Sequence, residues 1–365
     1  MKIIVVGAGA IGGYVGARLA LAGHAVTFLG RQPLAQAVSA RGLRLIEPGR
    51  ERETRDGRVV TSVEEAFAYE DRFDLALFTV KTFGTQRAID ELRPYRQRID
   101  RCLSLQNGVS SENLLGEAFG REKIIAGTIL NPVSIREPGV VVLEKRKGGV
   151  GLSQVSTNQP ANPPTNQLTS QPTNPLAFEE ITAQLRRAGF SVRTYADYRS
   201  MKWSKLLLNL IGNASSAILD LNTMQVFADK RLFAIEVAAL REAMRVARAI
   251  GVRFVSLPGY PVPLLVTAAR WLPLPLLQPV LIPLVAKGRG SKMPSLHIDL
   301  HSGKPCSEID ELNGVVVRVG MQAKIPTPAN ALLTETFQAV QTGKANRAEW
   351  RYRAERLWTA YCKPA

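Results

Sequence analysis

Four β-branched residues, Ile3-Ile4-Val5-Val6, run without a break into Gly7-Ala8-Gly9-Ala10-Ile11-Gly12. The apolar run has the pattern of a strand buried on both faces. After the glycines, Tyr14, Val15, Leu19 and Leu21 recur at helical spacing, and Val26-Thr27-Phe28-Leu29 reads as a second strand. This is a βαβ unit of about 30 residues with G-x-G-x-x-G at its strand-to-helix turn. Gly7 permits the tight turn, Gly9 lets a pyrophosphate approach the backbone, and Gly12 lets the helix pack on the strand. The helix N-terminus faces the phosphates. The expected fold is α/β, opening with a Rossmann-type doubly wound sheet. Gly7, Ala8, Gly9, Ala10, Ile11 and Gly12 are its dinucleotide-binding residues.

The end of the second strand reads the ribose. An NAD site places an acid there; here the strand ends Leu29-Gly30-Arg31 with no acid near. A cation suits a 2′-phosphate, so NADP is the expected cofactor and Arg31 its reader. Asp74–Val80 is a further strand leading to Lys81, and Cys102–Leu105 another leading to Gln106-Asn107, with helix expected over 85–98. Ligands of doubly wound sheets lie beyond the carboxyl ends of strands, which places Lys81 and Asn107 at the cofactor. Ile124–Thr128 and Gly139–Leu143 are expected to continue the same sheet. Of the 23 residues Ser153–Pro175, 20 are Asn, Gln, Pro, Thr or Ser and none is charged, the composition of a disordered low-complexity insertion. An amphipathic helix from Phe178 and a strand over Gly189–Thr194 complete a first domain, residues 1–196.

Residues 197–365 read as an all-helical second domain. Met201–Ile218 is expected to be one helix, with Lys205, Asn209 and Asn213 at i, i+4, i+8 as a polar stripe among Leu and Ile. A lysine in apolar surroundings suits a general acid near neutrality. A helix is expected over 231–250, and another from Glu308 to about Met321 with Ser307 as its N-cap and Glu308 in its first turn. Gly314 inside that helix implies close approach by another backbone. Residues 255–290 form an apolar, proline-rich insert. It packs as ordinary core, lines the cleft in favour of a larger apolar substrate, or makes a peripheral contact with an anionic membrane. Its position just before Ser295, which the resemblance given below implies to be a substrate residue, favours the second of these.

Composition narrows the rest. Lys plus Arg is 47 and Asp plus Glu is 31, a net charge of +16 that invites anionic partners. The densest basic run, Arg41 to Arg58, is interrupted by Glu47, Glu51, Glu53 and Asp56, and no helix-turn-helix stands out, so nucleic acid is not expected. A nucleotide-sensing or nucleic-acid-binding module is the alternative from another class. Three scattered cysteines without CxxC and no secretion signal point to a reducing compartment, the cytoplasm. No metal is expected: His297 and His301, at i, i+4, read as two partly exposed polar residues.

Together these residues resemble the ketopantoate reductases, or 2-dehydropantoate 2-reductases. The resemblance runs through the glycine motif, Val80-Lys81, Gln106-Asn107-Gly108, and Lys202-Trp203-Ser204-Lys205 with Asn209 and Asn213. It continues in Pro294-Ser295-Leu296, Ser307-Glu308-Ile309-Asp310 and Leu312-Asn313-Gly314. It implies an NADPH-dependent oxidoreductase reducing a 2-oxo acid, 2-dehydropantoate in pantothenate biosynthesis, as a monomer or homodimer. It implies that Lys205 is the general acid and that Glu308 hydrogen-bonds the substrate hydroxyl. Asn209, Asn213 and Ser295 would hold the substrate, Ser295 near its carboxylate. Lys81 and Asn107 would lie at the nicotinamide and Arg31 at the 2′-phosphate. A further asparagine usually follows the lysine helix in the family, and Asn222 is the nearest match. The two inserts and the spacing from Gly303 to Glu308 depart from the pattern and leave the substrate open, a bulkier 2-oxo acid being the alternative.

Overall fold

The computed structural model describes residues 1–155, 175–289, 293–303 and 305–363. They form two compact units. One comprises Met1–Gln106, Ser110–Lys202 and Leu257–Tyr260; the other comprises Asn107–Val109, Trp203–Ser256 and Pro261–Ala365.

Among the described residues the first unit holds twelve strands: β1 (Lys2–Val6), β2 (Ala25–Leu29), β3 (Leu43–Glu47), β4 (Arg50–Thr54), β5 (Gly57–Val60), β6 (Phe73–Phe78), β7 (Ile99–Ser104), β8 (Ile124–Ile129), β9 (Val133–Glu137), β10 (Val140–Leu143), β11 (Val150–Gln154) and β12 (Val192–Thr194). Its helices are α1 (Ala10–Leu21), α2 (Gln32–Arg41), α3 (Val63–Tyr69), α4 (Thr85–Leu92), α5 (Ser111–Phe119) and α6 (Pro175–Arg187). Eight strands make the main sheet, in the order β12-β11-β8-β7-β6-β1-β2-β5. All its pairings are parallel except β11 with β8. Ile3, Ile4, Val5 and Val6 of the central β1 are buried, as a strand covered on both faces must be. Tyr14, Val15 and Leu19 of α1 pack with Ile3, Val5 and Phe28 in the core.

Two expectations fail here. Residues 139–143 do not extend the main sheet. As β10 they sit in a separate four-stranded sheet, β4-β3-β10-β9, parallel to β3 and antiparallel to β9. The arginine- and glutamate-rich run near residue 50 supplies the β3–β4 hairpin of that sheet, in which Arg44 faces Glu53 and Ile46 faces Glu51 across the strands. Opposite charges across a strand pair are favourable, and apolar Leu43 and Leu45 face inward. The inward Glu47 is bonded by Arg18 from α1 and by Arg52. Burial works against its charge, but the two guanidiniums outweigh that and hold its pKa below the ordinary carboxylate value. The expectation of disorder over 153–175 fails at both ends, where Ser153 and Gln154 end β11 and Pro175 opens α6; residues 156–174 lie outside the described residues.

In the second unit the described residues are helical: α7 (Tyr198–Leu210, shared between the units), α8 (Asn213–Leu219), α9 (Thr223–Ala228), α10 (Lys230–Ala249), α11 (Val262–Trp271), α12 (Leu274–Arg289), α13 (Ser295–His301), α14 (Asn313–Gln322), α15 (Pro328–Gln341) and α16 (Ala354–Cys362). Buried α10 organises them through two buried carboxylates. Glu236 accepts from Gly212 N at 2.7 Å and from Ser215 Oγ at 2.6 Å, holding the N-terminus of α8. Glu242 accepts from Ala329 N and Asn330 N, both at 2.9 Å, holding the N-terminus of α15. A carboxylate at a helix N-terminus meets the unpaired amides and the positive end of the dipole.

Candidate active site

In the first unit the glycine turn has the form a dinucleotide requires. Gly7 is left-handed (φ +99°), and a Cβ there would stand 2.6 Å from Val80 N. A Cβ on Gly12 would run into the carbonyl oxygen of Gly7. At Gly9, by contrast, nothing lies within 4 Å of the Cβ position. Gly9 is also the N-cap of α1, with no side-chain cap and no acid in the first turn. The helix end is thus open toward an anion, which fits the pyrophosphate of a nicotinamide dinucleotide. Arg31 follows β2, is exposed and makes no ion pair among the described residues. The neighbouring Gly30 brings it beside the motif, since a Cβ on Gly30 would lie 3.6 Å from Ala8 Cβ. Thr79 Oγ1 donates to Gly7 O at 2.7 Å, tying the end of β6 to the turn, and Lys81 is half-buried two residues on.

The second unit brings together expected site residues from four chain segments, 107, 205–213, 295–296 and 308. Lys205, Leu208 and Asn209 form the half-buried face of α7, while Leu206, Leu207 and Leu210 are buried. Asn209 Nδ2 donates to Asn107 Oδ1 at 3.3 Å, and Asn107 Nδ2 donates to Glu308 Oε2 at 3.1 Å. Asn213 donates to Ser295 Oγ at 3.3 Å and accepts from Leu296 N at 3.1 Å. The residues expected to hold substrate therefore fall into two bonded groups, Asn209–Asn107–Glu308 and Asn213–Ser295. Asn107, expected at the cofactor, has its side chain on Asn209 and Glu308.

The local structure around them departs from expectation. The stripe helix is not continuous: it ends at Leu210, Gly212 is left-handed (φ +61°), and Asn213 opens α8. A Cβ on Gly212 would stand 2.5 Å from Thr223 Cγ2. Glu308 is not in the first turn of a long helix either. It precedes a 3-10 turn, Ile309–Glu311, and α14 begins only at Asn313 after a break at Leu312. Glu308 is 1% exposed. Gly314 meets Ile309 O and Thr334 Cγ2 at ordinary contact distances, not a close backbone approach. Asn222 is engaged elsewhere: it caps α9 in a reciprocal pair of hydrogen bonds with Gln225, each 2.9 Å.

One feature was not singled out from the sequence, and a second was noted but is placed otherwise than expected. Lys202, buried in the first unit, pairs with buried Glu112 at 2.8 Å and donates to Gln106 O at 2.7 Å. Gln106 Nε2 donates in turn to Val80 O at 2.9 Å and Thr85 Oγ1 at 2.7 Å. This network fixes the ends of β6 and β7, where Lys81 and Asn107 arise. A lysine at i−3 from Lys205 is the one signal the sequence holds for it. The second feature is at His297, which is buried, not partly exposed as expected. His297 Nε2 lies 2.7 Å from Asp220 Oδ1, and His301 stacks on His297 at 3.8 Å. Donor atoms of Asp220, His297 and His301 lie within 4.8 Å of one another. Arg351 NH2 stands 2.6 Å from Asp220 Oδ2 and Arg347 NH2 2.7 Å from His301 Nδ1, so guanidiniums already face these atoms and the cluster pins α13 to the 347–351 segment. Burial pushes His297 below the ordinary imidazole pKa despite the pull of Asp220. Burial disfavours charge on Asp220 too, but bonds from His297 and Arg351 outweigh it and lower its pKa.

Known proteins resemble the chain along most of its length. Residues 3–156 match the model of "Ketopantoate reductase PanE/ApbA", and residues 197–341 match that of its C-terminal domain. A 2-dehydropantoate 2-reductase of Pyrococcus horikoshii is 28% identical over 345 residues, covering 94% of this chain and 98% of its own length. Among solved structures, a PanE/ApbA family ketopantoate reductase from Ralstonia eutropha superposes with a TM-score of 0.74 at 27% identity, covering 94% of this chain and 99% of that one. D-mandelate dehydrogenase, solved with NADH and anilino(oxo)acetate, has the same fold at TM-score 0.74 and 21% identity, covering 94% and 99% of the two chains. With both halves of the chain matched by its models, and with relatives that align over nearly their whole length, this protein belongs to the ketopantoate reductase family and is a nicotinamide-dependent oxidoreductase of 2-oxo acid type.

Proposed function

We propose that the chain reduces 2-dehydropantoate to pantoate with NADPH. The observation that carries this reading is the bonded chain Asn209–Asn107–Glu308, with Lys205 one helical turn before Asn209 on the same half-buried face of α7. Reduced nicotinamide supplies a hydride when bound. Everything else the reaction needs falls to this chain's own groups. A carbonyl carbon that gains hydride leaves charge on its oxygen, and the Lys205 ammonium gives that oxygen a proton and regains one from water. Buried Glu308 accepts a hydrogen bond from the substrate hydroxyl, and Asn209 fixes the substrate's orientation. Ser295 and Asn213 hold the carboxylate, Ser295 Oγ as donor. Arg31 binds the 2′-phosphate and Lys81 and Asn107 the nicotinamide side.

A bulkier 2-oxo acid is the second reading, since the fold also serves D-mandelate dehydrogenase and does not choose the substrate by itself. NADPH oxidation measured against a panel of 2-oxo acids separates the two: 2-dehydropantoate is expected to give the highest kcat/KM. In the same assay Lys205→Ala is expected to lower kcat by about 10²–10⁴, the worth of a positioned acid. NADPH affinity should hardly change. Undiminished turnover in that variant would move the proton donor elsewhere.

A further inference from the structure

Helices α11 and α12 carry bulky apolar side chains on their exposed sides as well as on their buried ones. Their inner faces are buried: Val262 and Ala269 of α11, Leu277 and Leu281 of α12. Arg241 of α10 donates to the carbonyls of Ala269 and Leu272, and Gln278 donates to Phe227 O, so both helices are anchored to the second unit. The outer faces should then be polar, and they are not. Leu264 and Trp271, two turns apart on α11, are 69% and 70% exposed. On α12 the exposed positions include Pro275, Leu276, Pro279 and Val280, at i, i+1, i+4 and i+5, which make one face without a charge. A single exposed leucine needs no explanation, but four bulky apolar side chains exposed on two successive helices do, with Thr267 and Arg270 the exposed polar residues of α11. A helix apolar all round belongs in a core or against lipid.

The charge distribution names the occupant. Residues 243–298 contain seven Lys and Arg and no Asp or Glu. Arg270 lies over the Trp271 ring, 4.8 Å from its centre, and Lys287, Arg289 and Lys292 follow in sequence. A second copy of this chain would bring an equally basic segment, Arg270 beside Trp271 included, against the first. An anionic bilayer offers the opposite charge and an acyl boundary for the bulky side chains. No helix among the described residues is long and apolar enough to cross a membrane, and Pro279 and Pro283 inside α12 free carbonyls that need water. These are the terms of a segment lying in the interface plane.

We infer that the outer faces of α11 and α12 form a docking surface for anionic membranes, with Trp271, Leu264, Leu276 and Val280 inserted at the headgroup boundary. The inference is independent of the substrate assigned above. Its test is co-sedimentation of the full chain with vesicles of equimolar phosphatidylglycerol and phosphatidylcholine at low salt. A triple variant, Trp271→Ser, Leu276→Ser and Val280→Ser, provides the comparison. The parent should bind these vesicles, and bind pure phosphatidylcholine far less. Partitioning of the variant should fall by about tenfold or more, because its apolar insertion is lost while its charge is kept. All three positions are exposed, so melting temperature and turnover should stay as in the parent, which distinguishes lost docking from lost folding. Equal binding by the variant would reduce the effect to net charge and overturn the inference. So would a parent that ignores vesicles but forms a concentration-dependent dimer which the variant loses. A variant altered only in its KM for bulky 2-oxo acids would give the segment to the substrate site instead.

Discussion

Gly9 and Gly12 stand three residues apart in one motif and answer to different demands. Gly12 is needed by the protein itself, because a methyl group there would strike the Gly7 carbonyl. Gly9 has extended backbone (φ −81°, ψ −158°) and open space at its Cβ position, so nothing within the chain requires a glycine. Gly9→Ala is therefore expected to leave the melting temperature of the free protein nearly unchanged while weakening NADPH by about tenfold or more, since the methyl takes room the pyrophosphate needs. Gly12→Ala should instead destabilise the free protein by about 1–3 kcal/mol, the cost of overpacking. A melt and a fluorescence titration on each variant check both, and parental NADPH affinity in Gly9→Ala would remove the motif from the cofactor site. At this scale the sequence was informative wherever a polar residue broke an apolar run. Lys205, Asn209 and Asn213 stood out that way and Glu308 as an acid at a helix start, and the structure bonds Asn209, Asn213 and Glu308 to other expected site residues. Lys202 and Glu112 were not found, because one buried pair between distant segments leaves no local pattern.

Elements were readable where their signal is local. The β1–α1–β2 unit and α10 follow from periodicity alone. The break between α7 and α8 does not, because it depends on Thr223 packing against Gly212 and on Glu236 accepting from the Gly212 amide. Glu236→Ala should strand that amide and the Ser215 hydroxyl in the interior. It is expected to cost about 2–4 kcal/mol in urea unfolding and, because Asn213 opens α8, to raise the substrate KM as well. A stability loss with KM unchanged would show that α8 keeps its place without the carboxylate. Helix α13 gives a pH dependence. His297 is buried and its folded pKa lies below 6.5. Below that pH the unfolded chain takes up a proton that the folded chain resists, so stability falls as pH falls. Asp220, already depressed from 3.8, loses its contribution only in stronger acid. Between about pH 7.5 and 5.5 the parent should lose more melting temperature than His297→Gln does. Parallel curves would assign the loss to other groups.

Over the whole molecule, the order of a dinucleotide-binding sheet followed by helices could be read from the sequence. The second sheet could not, since β10 joins β3, a strand about a hundred residues earlier that hides in a charged run. That run also shows where the net charge of +16 does not act: Arg44 and Arg52 are paired with Glu51 and Glu47 of their own hairpin. Arg31 has no such partner among the described residues, which leaves its charge available to a ligand. The consequence is measurable in the stability of the entire chain, because a ligand that binds only the folded state stabilises it by mass action. At a cofactor concentration about 100 times the NADPH Kd, the gain is about 2.7 kcal/mol. One charge-assisted contact to the 2′-phosphate makes NADH at least about tenfold weaker, so NADH at the same concentration gives about 1.4 kcal/mol or less. The melting temperature should therefore rise more with NADPH than with NADH in the parent, and by nearly equal amounts in Arg31→Ala. This readout needs no turnover and no knowledge of the substrate. Equal shifts by the two cofactors in the parent would take the 2′-phosphate away from Arg31.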